Sequence, residues 1–470
     1  MDNEKSQAEQ LKESLFLQRK HAAQQLSPEA VQRADDFCEG YKHFLQTAKT
    51  EREAVNYFTR FAQENGFVPY DSASNYAPGD RVIVNNRGKA LLMAVIGKRS
   101  LAQGVNIVAA HIDSPRIDLK PNPLYEDAEL ALLKTHYYGG IKKYQWTAIP
   151  LSLHGVVLRR NGTRATVSIG ENEGEPQFVI TDLLPHLGAE QSKRTLSEGI
   201  AGEELNVLIG SRPFLDDKGS ELVKLNIMKL LHEKYNIVEE DFQCAELELV
   251  PAFPVRDIGL DRSMIGGYGH DDRVCAYPEV MALAKLSVPE YTAVAVLADK
   301  EEVGSDGNTG MNSAYLRDFI ADLARREGLL AHDVLQNTEC LSADVNAAFD
   351  PTWASVLEKQ NAAYLNRGIV VTKYTGARGK SGTSDASAEY MGKIRGILNK
   401  AEVVWQTGEL GKVDAGGGGT VAMYIANHNV DVVDVGVPVL SMHAPYEVVS
   451  KLDVYMAYKA FYAFFSQNQK

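Results

Sequence analysis

Two adjacent carboxylates, Glu301 and Glu302, stand in Asp299-Lys300-Glu301-Glu302-Val303-Gly304, directly after the apolar run of residues 291–298. A continuous apolar run of that length predicts a strand buried on both faces, as in a parallel sheet. The carboxylates then fall at the end of the strand, the edge at which open α/β sheets place their chemistry. Neighbouring side chains on an extended segment point opposite ways, so one carboxylate can bind a metal while the other moves a proton. Four further places set donor residues after apolar runs: His111-Ile112-Asp113, Asp271-Asp272, Asp344 and His443.

A hydrolytic site with two metals needs a bridging carboxylate, one or two further ligands per ion, and a base for the shared water. Two ions about 3.5–4 Å apart then polarise a carbonyl and make hydroxide available at neutral pH. Two histidines, a bridging aspartate, a carboxylate for each ion and a spare glutamate satisfy that inventory. Asp113, two residues after His111 on a strand, shares its face and is placed to orient the imidazole. Bland readings stay open on spacing alone: a solvated Glu-Glu turn, Asp271 as the cap of the helix after it, and Asp344 as a turn residue.

Five ordered segments, His-Ile-Asp-Ser-Pro at 111–115, Gly-His-Asp-Asp-Arg-Val at 269–274, Asp-Lys-Glu-Glu-Val-Gly-Ser at 299–305, Leu-Ser-Ala-Asp-Val-Asn at 341–346 and Ser-Met-His-Ala-Pro-Tyr-Glu at 441–447, resemble the motifs of the M18 family of zinc aminopeptidases. The likeness runs from about Tyr57 to the C-terminus. The resemblance implies a metal-dependent aminopeptidase that removes N-terminal residues from peptides with two divalent ions, usually zinc. It implies that His111, Asp271 and Asp344 hold one ion and that Asp271, Glu302 and His443 hold the other. Glu301 would be the general base, and Asp113 the support for His111. It further implies a homo-oligomer, a tetrahedral dodecamer built from dimers, with the pocket completed by a neighbouring subunit.

Substrate contacts are expected from the glycine loop of residues 415–420. Its Gly417 and Gly418 can present backbone N–H groups to a carboxylate or oxyanion, and Lys373 and His270 are further candidates. One departure bears on specificity. Aspartyl aminopeptidases usually carry Trp-Phe-Asp-Arg-Asp-Leu after the Gly-Gly pair, where this chain has Tyr144-Gln145-Trp146-Thr147-Ala148-Ile149. Acidic and neutral or apolar N-terminal residues are therefore both open. The competing readings are a dizinc amidohydrolase or deacylase, and a self-assembling particle with a vestigial site. The intact Glu301 and all five ligand candidates speak against the last.

The elements that must position these residues alternate. Helical periodicity runs to about residue 65, opening a helix at Ser27-Pro28-Glu29, a cap residue followed by proline in the first turn. Strand-like runs follow at 81–85, 90–96 and 105–110. Residues 121–253, punctuated by Pro121-Asn122-Pro123 and Gly139-Gly140, carry no concentration of catalytic types. They read as a β-rich lid or dimerisation domain inserted into a discontinuous catalytic domain of residues 1–120 and 254–470. After Pro254 the β-then-α rhythm resumes: a helix from Arg273, one near 311–326, strands near 367–374, 402–406 and 430–437, and a last helix opened by the capping-box spacing Ser450-x-x-Asp453. The expected fold is α/β, a mainly parallel sheet flanked by helices.

At 470 residues and 44% hydrophobic, the chain can bury a large core in more than one domain. Its net charge of −13 argues against nucleic acid or an anionic membrane as partner. Four scattered cysteines without a CxxC pair argue for a reducing compartment. No run of about 18 apolar residues and no apolar leader is visible. The expectation is a cytoplasmic enzyme.

Overall fold

The computed structural model describes residues 5–216 and 218–467. Its centre is a nine-stranded sheet, in spatial order Val68–Pro69, Arg81–Asn86, Ala90–Val95, Ala293–Ala298, Asn106–His111, Glu339–Ser342, Asp431–Gly436, Ile369–Thr372 and Trp405–Thr407. The four strands in the middle, from Ala293–Ala298 to Asp431–Gly436, run parallel. Every residue of Asn106–His111 and Ala293–Ala298 is buried, as continuous apolar runs between two helical layers require. Register places Ala298 beside His111 and Ser342 beside Ala109, so their carboxyl ends share one edge.

The expected mainly parallel sheet holds for that centre and for the two outermost pairs, Val68–Pro69 with Arg81–Asn86 and Ile369–Thr372 with Trp405–Thr407, but not between them. Ala90–Val95 pairs antiparallel with Ala293–Ala298 and with Arg81–Asn86, and Ile369–Thr372 pairs antiparallel with Asp431–Gly436. A seven-stranded sheet, built between Arg116–Asp127 and Ala245–Pro251, is antiparallel throughout. The fold is therefore mixed α/β. A short connection explains the hairpin of Arg81–Asn86 and Ala90–Val95, whereas the other two antiparallel pairs join strands distant in sequence.

The seven-stranded sheet has a core of its own, with Trp146, Leu153, Val167 and Leu249 among its buried residues. Its edge strand Arg164–Ile169 buries alternate residues only, the pattern of a sheet wetted on one face. The ladder between Arg116–Asp127 and Leu130–Tyr138 shifts register between Leu119 and Leu124. Pro121 and Pro123 lie there and cannot donate to it. A third sheet joins Arg256–Ile258, Met264–Gly267, Glu447–Ser450, Pro438–Leu440 and Asn346–Ala347. It ties together the segments next to Asp271, Asp344 and His443.

Helices Pro28–Thr47, His270–Lys285 and Lys451–Phe465 share one buried cluster on the central sheet, and Tyr315–Arg325 lies in another. Phe44, Phe58 and Phe461 are fully buried there, at roughly 1.5–3 kcal/mol each relative to exposure. Ser27 caps its helix as expected, accepting from the Ala30 N–H. The capping box at Ser450 does not form: the Ser450 hydroxyl donates to Asn366, and the buried Asp453 carboxylate accepts from the Asn366 and Gly368 N–H groups. Asp453 anchors a loop instead of a helix end. Among the described residues no helix is long and apolar enough to cross a membrane.

Candidate metal centre

His111 ends its strand with its ring buried. Nδ1 lies 3.0 Å from the Asp113 carbonyl oxygen and 3.3 Å from the Asp113 carboxylate. Nε2 points at Asp271, 3.1 Å from Oδ1. From the other side His443 Nε2 lies 3.1 Å from Asp271 Oδ2 and 3.5 Å from Glu302 Oε2. One carboxylate thus sits between two imidazoles, with one oxygen turned to each. The donor atoms of His111, Asp271 and Asp344 lie within 4.8 Å of one another, as do those of Asp271, Glu302 and His443. All five ligand candidates converge, as does Glu301, whose Oε2 is 3.8 Å from His111 Nε2.

Each position has a local cause. The Asp271–Asp272 peptide is cis. Asp271 is further held by its N–H donating to Glu447 and by Ser114 donating to its carbonyl. Glu447 also accepts from the His443 N–H, so one buried carboxylate fixes two of the ligand candidates. His443 takes φ 64° and its Nδ1 is 2.9 Å from the Gly140 carbonyl oxygen. Glu301 and Glu302 do not lie on an extended segment as expected. They open a 3-10 turn, Glu301–Val303, entered through Lys300 at φ 66°, and the turn is what sends their side chains apart. Glu301 keeps 16% side-chain exposure and Glu302 only 3%. The Glu301 side chain is the one that meets solvent.

Asp113 is the hub beneath them. Its two carboxylate oxygens accept the N–H groups of Glu301 and Glu302, each at 3.2 Å, and Oδ2 also accepts the Tyr138 hydroxyl at 2.8 Å. Tyr138 and Glu447 were missed in the sequence. Glu447 closes the Ser-Met-His motif, and Tyr138 precedes the Gly-Gly pair, so adjacency was the only available signal.

Burial penalises the charge of Asp271, but hydrogen bonds from His111 and His443 hold its carboxyl below the usual range. Burial and Asp271 push Glu302 well up, and burial and Glu301 do the same to Asp344. Burial, with Asp113 and Asp271, raises Glu301 to about 7. Among the described residues Glu302 Oε1 is buried without a hydrogen-bond partner, and no lysine or arginine lines the adjoining cavity. A crowd of acceptors without a cation fits divalent metal, whose charge offsets the mutual repulsion.

That cavity has a volume of about 370 Å³ and is walled by Asn346, Thr372 and Gly417–Gly419 besides the centre. Gly417 and Gly418 thus line the cavity beside the centre. At Gly417, φ is 109° and a Cβ would meet the Gly376 carbonyl at 2.3 Å, so only glycine fits. The structure does not bring the other two candidates here. His270 is fully buried with Nδ1 2.7 Å from the Tyr41 hydroxyl, and burial pushes its imidazole down to about 3. Lys373 pairs with Asp385, which Lys380 also engages, away from the cavity lining.

Residues 44–465 match the family model described as aminopeptidase I zinc metalloprotease (M18). The chain belongs to the M18 family. A protein of Clostridium acetobutylicum named probable M18 family aminopeptidase 1 is 50% identical over 432 residues, covering 90% of this chain and 93% of that one. The crystal structure of an M18 aminopeptidase from Thermotoga maritima superposes with a TM-score of 0.92 at 42% identity, over 96% of this chain and all of that one. A yeast structure described as an mApe1 dodecamer, 19% identical over 93% of this chain and 97% of that one, shares the fold with a TM-score of 0.74. As an M18 member the chain is an aminopeptidase of the zinc metallopeptidase class, which outweighs the amidohydrolase and vestigial-particle readings.

Proposed function

We propose that this M18 member removes N-terminal residues from peptides with two divalent ions, zinc by the imidazole and carboxylate character of the donors. The observation that carries this is Asp271, whose two oxygens face His111 and His443 separately. His111, Asp271 and Asp344 would hold one ion, and Asp271, Glu302 and His443 the other. Bound there, such ions supply Lewis acidity to the scissile carbonyl and a water of lowered pKa.

The chain's own groups do the rest. Glu301 takes a proton from the attacking water and delivers it to the leaving amine. Asp113 is a positioning residue: it orients His111 through Nδ1 and fixes the base by accepting its backbone N–H. The glycine loop of residues 416–419 offers backbone to the substrate at closest approach. With no lysine or arginine among the described residues of its wall, the cavity favours a neutral or apolar N-terminal side chain over an acidic one.

We also propose that residues 121–253 form the inserted lid and dimerisation domain between catalytic segments 1–120 and 254–470. The assembly is a homo-oligomer, a dodecamer by analogy with the yeast relative. All four cysteines are free thiols, which suits a cytoplasmic setting. Hydrolysis of aminoacyl-p-nitroanilides with and without chelator tests the function. Activity is expected to vanish on chelation and return with Zn²⁺. Chelator-resistant hydrolysis contradicts the metal, and turnover of N-acyl amino acids alone points to a deacylase.

A further inference from the structure

A second cavity, of about 490 Å³, adjoins the first and shares Gly140, Met442 and His443 with it. Its volume lies in the ~300–1,000 Å³ range of small-ligand sites. One wall is the 3-10 turn Lys143–Trp146, anchored by Trp146, which is fully buried and packs edge-on against Tyr268 at 6.3 Å. Tyr144 of that turn faces the cavity at 42% exposure. The opposite wall is Pro351–Val356, whose start is set by Asp350 accepting from the Thr352 N–H. Here Trp353 is 66% and Val356 50% exposed. Three large apolar side chains left in solvent around one concavity, one step from the metal centre, mark a binding surface.

We propose that this cavity holds the residue that follows the scissile bond, with a preference for an apolar or aromatic side chain there. The inference rests on the aminopeptidase reading. Charge decides the direction of the peptide. Outside the ligand candidates the first cavity carries the carboxylates of Glu301 and Asp434 and, among the described residues, no lysine or arginine, so it takes the α-ammonium end. The second is lined by Lys142 and by Asp350, whose carboxylate is engaged by the Thr352 N–H, so Lys142 is the partner it offers to the C-terminal carboxylate of a short peptide. A peptide lying across the shared His443 wall places its first carbonyl at the centre and its second side chain between Tyr144 and Trp353. The departure at Tyr144-Gln145 then acts on the residue after the cut, because both side chains line the second cavity and neither lines the first.

The test uses alaninamide, Ala-Gly and Ala-Phe, whose small N-terminal residue leaves the first cavity out of the comparison. Wild-type enzyme is expected to favour Ala-Phe over Ala-Gly by about tenfold in kcat/KM. In Trp353→Ala and in Tyr144→Ala that ratio is expected to fall to roughly twofold or less. An unchanged ratio in both variants overturns the proposal. So does a fall in native mass in Trp353→Ala, which would assign the surface to a second copy of the chain. If wild-type enzyme leaves all three substrates, alaninamide included, intact, the aminopeptidase reading fails and takes the proposal with it. Hydrolysis of alaninamide with no preference between the dipeptides defeats the proposal alone.

Discussion

Asp271 is the residue on which the centre turns, since each of its oxygens answers a different histidine. The substitution Asp271→Asn removes the negative charge that two cations would share, so both sites should weaken together. His443→Ala should weaken one site preferentially, because His443 belongs to a single donor group. Metal content after dialysis separates the two; loss of only one ion from Asp271→Asn would refute the bridge. The ligand candidates were legible through the five ordered motifs that resemble the M18 family, since after the apolar runs alone a solvated turn, a helix cap or a turn residue stayed open. Tyr138 was not legible, since its partner Asp113 is brought to it only by the strand pairing of the antiparallel sheet. His270 misled for the opposite reason. Sequence adjacency to Asp271 placed it at the site, while the start of the helix turns its ring toward Tyr41 in the core.

Between elements, the antiparallel sheet is tied to the helical layer by a buried charge cluster away from the metal centre. His154 Nδ1 is 2.8 Å from Glu53, and its Nε2 is 3.1 Å from Glu171, which also pairs with Lys49 at 2.9 Å. Burial opposes the charge on His154, but hydrogen bonds to Glu171 and Glu53 raise it from 6.5 to about 9. Burial likewise opposes Glu171, which His154 and Lys49 lower from 4.5 to about 2. A raised histidine stabilises the fold fully below its unfolded value of about 6.5, and that contribution is lost as pH rises through about 9. A lowered glutamate contributes above about 4.5 and loses it as pH falls through about 2. These are one set of contacts seen from two partners, so the gain counts once, at about 3 kcal/mol. Thermal stability from this cluster should be greatest between about pH 4.5 and 6.5 and decline toward pH 9. His154→Gln should flatten that decline, and an unaltered pH profile in the variant would rule the cluster out. Three of the four central strands were legible from unbroken apolar runs, and Glu339–Ser342, four residues opened by a glutamate, was not. The antiparallel flanks were not, because period-2 or apolar runs carry no record of which neighbour they pair with or in which direction.

At the scale of the whole molecule, an accessible hydrolytic centre becomes selective when assembly limits entry to short or unfolded peptides. Leu158 on the antiparallel sheet, and Leu183, Leu187 and Leu196 in the segment between its strands Val179–Ile180 and Val207–Gly210, are exposed, apolar surface of the kind that subunits cover. Light scattering of the intact protein at micromolar concentration should give a mass well above one 51.7 kDa chain. A fully active monomer would remove the need for a shared compartment. The central claim, a metal-dependent hydrolysis driven by Glu301 as base, is tested most directly by Glu301→Gln with metal content and kcat measured on one sample. Glutamine keeps the shape and the backbone contact to Asp113 but cannot accept a proton. The expected result is a full metal complement with kcat reduced by at least about 100-fold. Near-wild-type kcat in a metal-replete variant would contradict it.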